Sequence, residues 1–460
     1  MSLEQPPVST HEHTPQSLAT TDMPRDTSND MPKDMSRRDL VRSAGLLAGV
    51  AIGAPVVRLL AQAPAKAVAI VQPVVPPVVP PAVPPPLPTA PLDATRVPGL
   101  PTGPLGLRSA FENPALAPLN VVTGVAYTPL QHLSGTITPS DLHFQRHHNG
   151  IAVIDPARHA LVIHGLVDKP ISLSLDELKR FPSVTRTYFI ECSGNGRAAY
   201  RAPKPEMSPQ EVDGMTSCSE WTGVPVKTLL RETGMKNAAA WVLAEGGDAA
   251  VLSRSIPLAK MLDDAIVAYA QNGEAVRIGN GYPMRLVLPG YEGNMCVKYL
   301  RRLKLTDQPN MSRDETVKYT DPLPDGTSRQ FSFVMDAKSL ITSPTYPAKL
   351  TNTGWWPVSG LAWTGRGKIT RVEVSTDGGT TWHDAELVGP VLPYAHTRFQ
   401  YMWKWMGQPA TLMSRAWDQT GYSQPSLQEF RRVRGPGTDY HFNAIRSWNV
   451  AANGTIGFGG

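Results

Sequence analysis

Cysteine is scarce in this chain, with three among 460 residues, Cys192, Cys218 and Cys296. An odd and sparse set builds no disulfide framework. No Cys-x-x-Cys or Cys-x-x-Cys-His occurs, which excludes a zinc knuckle or an attached c-type haem made from this chain alone. Any thiolate chemistry therefore rests on a single cysteine. Long Lys/Arg runs are also missing, and a net charge of +5 is a weak field for a chain of this length. That argues against a nucleic-acid binder driven by phosphate contacts. The apolar run Ser43 to Val57 spans 15 residues, short of the ~20 that a membrane-crossing helix needs.

Two N-terminal features stand out. Residues 36–42 read Ser-Arg-Arg-Asp-Leu-Val-Arg, directly before the apolar run, and Ala63-Pro64-Ala65, Ala65-Lys66-Ala67 and Ala67-Val68-Ala69 each offer a small-residue cleavage site. This pattern, spanning residues 1–69, resembles a twin-arginine export signal, which implies a periplasmic protein carried across the membrane already folded. A chain needing that route commonly takes up a cofactor before export. Proline is in excess, 45 residues in all, and residues 70–107 hold much of it. Proline fixes φ and removes a backbone donor, so this stretch reads as an extended polyproline tether.

Globular texture begins near Arg108. Residues 108–310 mix short strand-like runs at Ala160–Gly165, Thr185–Glu191, Ala240–Ala244 and Pro283–Leu288 with helix-like stretches. Ser174 followed by Asp176 and Glu177 marks a helix start, and Val226–Thr233 and Pro257–Asp263 have helical spacing. Residues 306–330 are polar and read as a connector. Residues 325–440 alternate as strands do, with a turn at Asp377-Gly378-Gly379 and a strand resuming at Trp382. The fold class expected is α+β followed by an all-β, immunoglobulin-like sandwich.

The segment with most chemistry in it is Tyr188-Phe-Ile-Glu-Cys-Ser-Gly-Asn-Gly-Arg197. A strand ends in Cys192, and two glycines then allow a tight, open turn. Arg197 brings a positive charge that would lower the thiol pKa and favour a thiolate, fit to act as nucleophile or soft metal ligand. From the residues alone, a buried inert cysteine before a turn is the competing reading.

Taken with other segments in order, this one resembles the cysteine loop of the sulfite oxidase family of molybdopterin enzymes. The collinear set comprises Phe144-Gln-Arg-His-His148, Trp221-Thr-Gly-Val-Pro-Val-Lys-Thr-Leu-Leu230, Ser255-Ile-Pro-Leu258, Ala268-Tyr-Ala-Gln-Asn-Gly273, Gly281-Tyr-Pro-Met-Arg-Leu-Val-Leu-Pro-Gly290, Val297-Lys-Tyr-Leu300 and Ser375-Thr-Asp-Gly-Gly-Thr-Thr-Trp382. The resemblance implies a Mo-molybdopterin domain followed by a dimerisation domain, with one cofactor per chain and no haem in this chain. It makes Cys192 the molybdenum ligand. It places Arg146, Arg197, Tyr319 and Arg434 in an oxyanion pocket, and His147, His148, Asn280, Arg285, Cys296, Val297 and Lys298 in cofactor-contacting segments. Animal and plant members carry His where Asn280 stands and Arg where Gly196 stands, so sulfite need not be the only substrate.

Within the family, Pro289-Gly-Tyr-Glu-Gly-Asn-Met-Cys-Val-Lys-Tyr-Leu-Arg-Arg-Leu-Lys304 resembles the molybdenum subunit of sulfane dehydrogenases of the sulfur-oxidising (Sox) type. That implies oxidation of a sulfane sulfur on a carrier protein, with electrons passed to a c-type cytochrome subunit, in a homodimer within a larger assembly. A free sulfite:cytochrome c dehydrogenase is the alternative within the family, and a secreted non-catalytic binding protein is the alternative outside it.

Overall fold

The computed structural model describes Thr95 and residues 98–460, apart from Pro324 and Pro436. The expected export signal and nearly all of the proline-rich tether lie outside the described residues. Among the described residues, no helix is long and apolar enough to cross a membrane.

The first folded region is built on two five-stranded sheets. One runs in the order Ile171–Ser174, Ala160–Gly165, Leu300–Thr306, Trp241–Gly246, Ser253–Pro257. Its central strand, Leu300–Thr306, lies parallel to Ala160–Gly165 and antiparallel to Trp241–Gly246. The other carries Val184–Glu191, Thr216–Pro225, Ile266–Gln271 and Glu274–Ala275, with Arg285–Val287 also paired to Ile266–Gln271. One hydrophobic cluster joins Leu161, Ile163, Trp221, Leu229, Leu286 and Leu303 from both sheets and the helix between them.

Local sequence explains these elements. Ser174 accepts from the Glu177 backbone at 3.2 Å while its own backbone N–H donates to the Glu177 carboxylate at 2.8 Å, a reciprocal cap that starts the helix Leu175–Leu178. The helix Val226–Thr233 buries Val226, Leu229, Leu230 and Thr233, the one-sided spacing of an amphipathic helix. It stops at Gly234, whose φ of 64° suits glycine. The strand expected at Pro283–Leu288 is shorter, Arg285–Val287, since Pro283 has no N–H to give a ladder.

The C-terminal region packs a four-stranded sheet (Lys338–Ser343, Gly354–Trp363, Thr397–Trp405, Glu386–Val388) against a five-stranded one (His383–Asp384, Ile369–Ser375, Ala410–Asp418, Ser447–Val450, Ile456–Phe458). This is the all-β sandwich expected from the alternation. The Asp377 turn has Gly378 and Gly379 at φ 73° and 90°. Three differences from the sequence reading have physical causes. The sheet continues past residue 440, because Ser447–Val450 pairs with Ala410–Asp418 and buries Trp448. A helix, Leu427–Arg434, interrupts the strands, capped by Ser426, whose hydroxyl accepts from Glu429 N. Trp382 does not itself resume a strand; its indole N–H folds back onto the Gly379 carbonyl at 3.0 Å, and the strand starts at His383.

The segment read as a connector is more than that. It forms the short helix Arg313–Thr316 and the hairpin Asp321–Pro322 with Ser328–Arg329. Glu315 and Tyr319 are both drawn back to the first region by Arg254, a fully buried guanidinium that lies 3.9 Å from the Glu315 carboxylate and 4.8 Å over the Tyr319 ring.

Leu303 is fully buried at the centre of the mixed sheet, opposite Ile163 and Ala244. Leu303→Ala should therefore cost about 2–5 kcal/mol by denaturant titration, while an exposed change such as Val388→Ala should leave stability nearly unaltered.

Candidate active site

Cys192 stands where the strand Val184–Glu191 ends. The turn after it is buried throughout, from Ser193 to Gly196, and Gly196 takes φ 88°, a conformation that glycine adopts without strain. A Cβ at Gly196 would also strike the Arg446 guanidinium and the Asp213 carboxylate. The thiol lies part-buried in a pocket with a cavity volume of about 70 Å³, open on one side to solvent.

The pocket draws its walls from segments far apart in the chain. Arg146 comes from the strand Gln145–His147, Asn280 from the turn before Gly281, Arg285 from the strand Arg285–Val287, and Cys296 and Lys298 from the loop leading into the central strand. His148 and Tyr319 complete one side, with His148 Nε2 at 3.1 Å from the Tyr319 hydroxyl. Burial pushes the Tyr319 hydroxyl far up, so it stays a donor.

Charge is distributed unevenly here. Arg285 is 3% exposed and spends Nη1 and Nη2 on the carbonyls of Asn280 and Cys296, at 2.7 and 3.0 Å. Lys298 Nζ donates to the carbonyls of Arg146 and Gly279, both at 3.1 Å, and to His147 Nδ1 at 3.0 Å. Arg146 donates to the carbonyls of Gly124 and His147. Among the described residues, none of these three cations forms an ion pair. Asp248, also in the lining, is the acid that acts on Lys298. Burial, then Arg285, pulls Lys298 down to about 7, and burial pulls Arg285 down to about 10. Burial and the neighbouring cations hold His147 at about 3 and His148 at about 4, both neutral.

The sequence placed the Cys192 thiol under Arg197's influence, with a lowered pKa. The structure reverses the sign: burial raises it, and the backbone N–H of Gly194 with Arg146 and Arg197 only partly offsets this. Burial opposes the charged thiolate more strongly than charges spread around it favour it. Coordination to a metal ion would deprotonate the thiol outright.

The remaining candidates divide. Arg146, Tyr319, His148, Cys192, Asn280, Arg285, Cys296 and Lys298 all line the pocket. His147 reaches it only through Lys298. Cys296 lines it, yet its sulfur is turned to the backbone of Leu288, accepting from the N–H at 3.3 Å. Arg197 flanks the cysteine turn, its Nε and Nη2 engaged by the Asp439 carbonyl at 3.1 and 2.7 Å. Two candidates are elsewhere. Val297 is 1% exposed in the hydrophobic cluster and does not line the pocket. Arg434 ends the helix Leu427–Arg434, is paired with Asp336 at 3.0 Å, and lines a separate depression with Arg329 and Arg366. Asp336 neutralises it there, as the sequence alone does not reveal.

Sequence reasoning missed His143, Asp248 and Asn294. Asn294 lies inside a recognised segment, and Asp248 follows a Gly-Gly pair that opens the backbone; His143 carried no signal. With Asn280 and Arg285, these residues present five buried atoms in the lining that have no partner among the described residues, namely His143 Nε2, Asp248 Oδ1, Asn280 Oδ1, Arg285 Nε and Asn294 Oδ1. His143 Nδ1 faces the Phe144 carbonyl at 3.0 Å, which can only accept, so Nε2 is a free acceptor. Four acceptors and one donor are thus left open beside three unneutralised cations. Such a set suits a ligand that carries both ring N–H groups and a phosphate, as molybdopterin does, in a pocket that also holds the Cys192 thiol. No cluster of three or more His, Cys, Asp or Glu suited to a metal is present among the described residues.

Comparisons with known proteins agree with this geometry. Residues 148–313 match the oxidoreductase molybdopterin binding domain, and residues 329–447 the Mo-co oxidoreductase dimerisation domain. The fold is similar to the crystal structure of the sulfane dehydrogenase SoxCD from Paracoccus pantotrophus, with 42% identity, a TM-score of 0.76, and coverage of 79% of this chain and 96% of that one. Mitochondrial sulfite oxidase of Mus musculus is 32% identical over 273 residues, and nitrate reductase [NADH] 2 of Phaseolus vulgaris is 31% identical over 341 residues. These matches take in 55% and 65% of this chain, which spans only 50% and 38% of those two proteins.

Lys298 provides a pH test. In the folded, cofactor-free chain it carries its proton only below about pH 7, whereas in the unfolded chain it does so to roughly pH 10. Between those values the folded state binds fewer protons, so the lysine's contribution makes stability rise with pH across that window. Melting of the cofactor-free protein from pH 7 to 10 should show this rise, and Lys298→Met should flatten it.

Proposed function

This chain belongs to the sulfite oxidase family of molybdopterin oxidoreductases, and on that premise we propose that it oxidises a sulfur anion in the periplasm. The proposed substrate is a sulfane sulfur held on a carrier protein during thiosulfate oxidation, and the electrons pass to a c-type cytochrome subunit. Export folded by the twin-arginine route fits the leader, and a homodimer within a larger assembly fits the dimerisation domain. The observation that carries the reading is the single part-buried thiol of Cys192 in a pocket shared with Arg146, Arg285 and Lys298, none of which forms an ion pair among the described residues.

The residues divide the work by chemistry. Arg285 and Lys298 are suited to the cofactor's phosphate, since both are buried cations that form no ion pair among the described residues. His143, Asp248, Asn280 and Asn294 offer acceptors to ring N–H groups. The bound cofactor supplies two-electron oxo transfer to sulfur, the step that protein groups alone do not perform. Arg146 and the Tyr319 hydroxyl are the groups left to bind and orient an anionic substrate, the guanidinium by charge and the hydroxyl by donation. His148, kept neutral, holds the Tyr319 hydroxyl in place. Arg254 beneath the Tyr319 ring keeps that side of the pocket from collapsing.

The carrier-bound substrate is preferred because the similarity to the sulfane dehydrogenase covers nearly all of that chain, whereas the similarity to sulfite oxidase covers half of that protein. Cytochrome c reduction should be slow with sulfite and this chain alone, and fast when thiosulfate is supplied together with the thiosulfate-oxidising carrier proteins and the cytochrome subunit. Rapid turnover of free sulfite without them would overturn the substrate assignment in favour of a free sulfite dehydrogenase. Cys192→Ser should abolish turnover while keeping the melting temperature within a few degrees of wild type, because the side chain is part-buried and nearly isosteric; retained activity would remove Cys192 as the metal ligand.

A further inference from the structure

Glu191 precedes Cys192 in the chain and is fully buried. Its carboxylate accepts three hydrogen bonds: from Lys338 Nζ at 2.6 Å, from the Trp363 indole N–H at 2.7 Å and from Asn195 Nδ2 at 2.9 Å. Two of these three donors come from the C-terminal sandwich. Lys338 and Trp363 are direct register partners on the adjacent strands Lys338–Ser343 and Gly354–Trp363, so a rigid ladder fixes the spacing between them. Lys338 also meets Asp213 at 3.2 Å, and Asp213 meets Arg446 at 3.3 Å. Two acids and two bases thus balance in a site from which water is excluded, where each charge depends on its partners.

The same residues hold the cysteine turn. Asn195 donates to Glu191 and to the Asp213 carbonyl at 2.9 Å, and accepts from the Met215 backbone at 2.9 Å. The His441 backbone N–H donates to the Ser193 carbonyl at 2.7 Å, and Arg197 is held by Asp439. Arg446 and Asp213 occupy the space that a side chain at Gly196 would need. The segment carrying the thiol is therefore clamped from the second domain as much as from the first.

We propose that the C-terminal sandwich is a working part of the metal site: Lys338 and Trp363 are positioning residues that, by gripping Glu191, set where the Cys192 sulfur points. This rests on the assignment of Cys192 as molybdenum ligand, and adds to it a role for a domain whose family description is dimerisation. A ligand sulfur displaced by a fraction of a bond length alters its overlap with the metal, and small misplacements carry large rate penalties.

The test compares full-length Trp363→Phe and Lys338→Met with Trp448→Phe. Trp448 is an equally buried indole of the same sandwich whose N–H has no partner among the described residues, so its replacement serves as a control for lost packing. In cofactor-free protein, alkylation of Cys192 by iodoacetamide, followed by peptide mass, should be severalfold faster in Trp363→Phe than in wild type, and unchanged in Trp448→Phe. In loaded protein, the sulfur-to-molybdenum charge-transfer absorption should shift in Trp363→Phe and not in Trp448→Phe. Lys338→Met should exceed Trp363→Phe in both readouts, or fail to fold because two acids are left with one base. A folded Trp363→Phe that matches the control in both readouts would overturn the proposal. Wild-type protein without molybdenum would instead sink the functional reading, while the alkylation comparison would still report on the clamp.

Discussion

Arg146, Arg285 and Lys298 share one pocket, and among the described residues no carboxylate forms an ion pair with any of them. Burying positive charge without a counter-ion is costly, and the fold softens that cost with backbone carbonyls, which satisfy the N–H groups but leave the charge itself in place. Asp248 offsets only part of it. A pocket of this kind is stable in full only when an anion enters, and its depth and open acceptors favour one attached to a ring system. The family assignment and the physical reading therefore converge on a cofactor that carries a phosphate and ring N–H groups, the class that the molybdopterin binding domain implies.

The architecture follows from that requirement. Two sheets share a hydrophobic cluster and set strand ends and loops around one opening, so that residues from 143 to 319 meet there. Arg254, with Glu292 at 3.5 Å and Glu315 at 3.9 Å, anchors the segment bearing Tyr319 to this frame. Behind the cysteine, the balanced set of Glu191, Asp213, Lys338 and Arg446 joins the first region to the sandwich. Charge is left open on the ligand side of Cys192 and closed on the structural side, which lets one loop be both rigid and receptive.

Much of this was legible in the chain because it is local. The helix Val226–Thr233 follows from spacing alone, and the helix after Ser174 from its cap. The Cys192 turn was visible in two glycines flanking a strand end. What local pattern cannot carry is partnership across the fold. Arg434 reads as a free guanidinium until Asp336 is seen beside it. The thiol reads as activated by Arg197 until its burial is counted. Val297 sits among site residues in sequence, yet in the bent loop between Cys296 and Lys298 its side chain is buried in the core and does not line the pocket. Glu191 and Lys338 are 147 positions apart, and no motif links them.

The central claim is that the sulfur of Cys192 holds molybdenum in a cofactor bound by this pocket. X-ray absorption at the molybdenum edge, on protein purified with its native cofactor, tests it most directly. The account predicts about one molybdenum per chain, with a sulfur shell that loses one thiolate when residue 192 is changed to serine. Absence of molybdenum from folded protein, or a sulfur shell indifferent to that change, would contradict it.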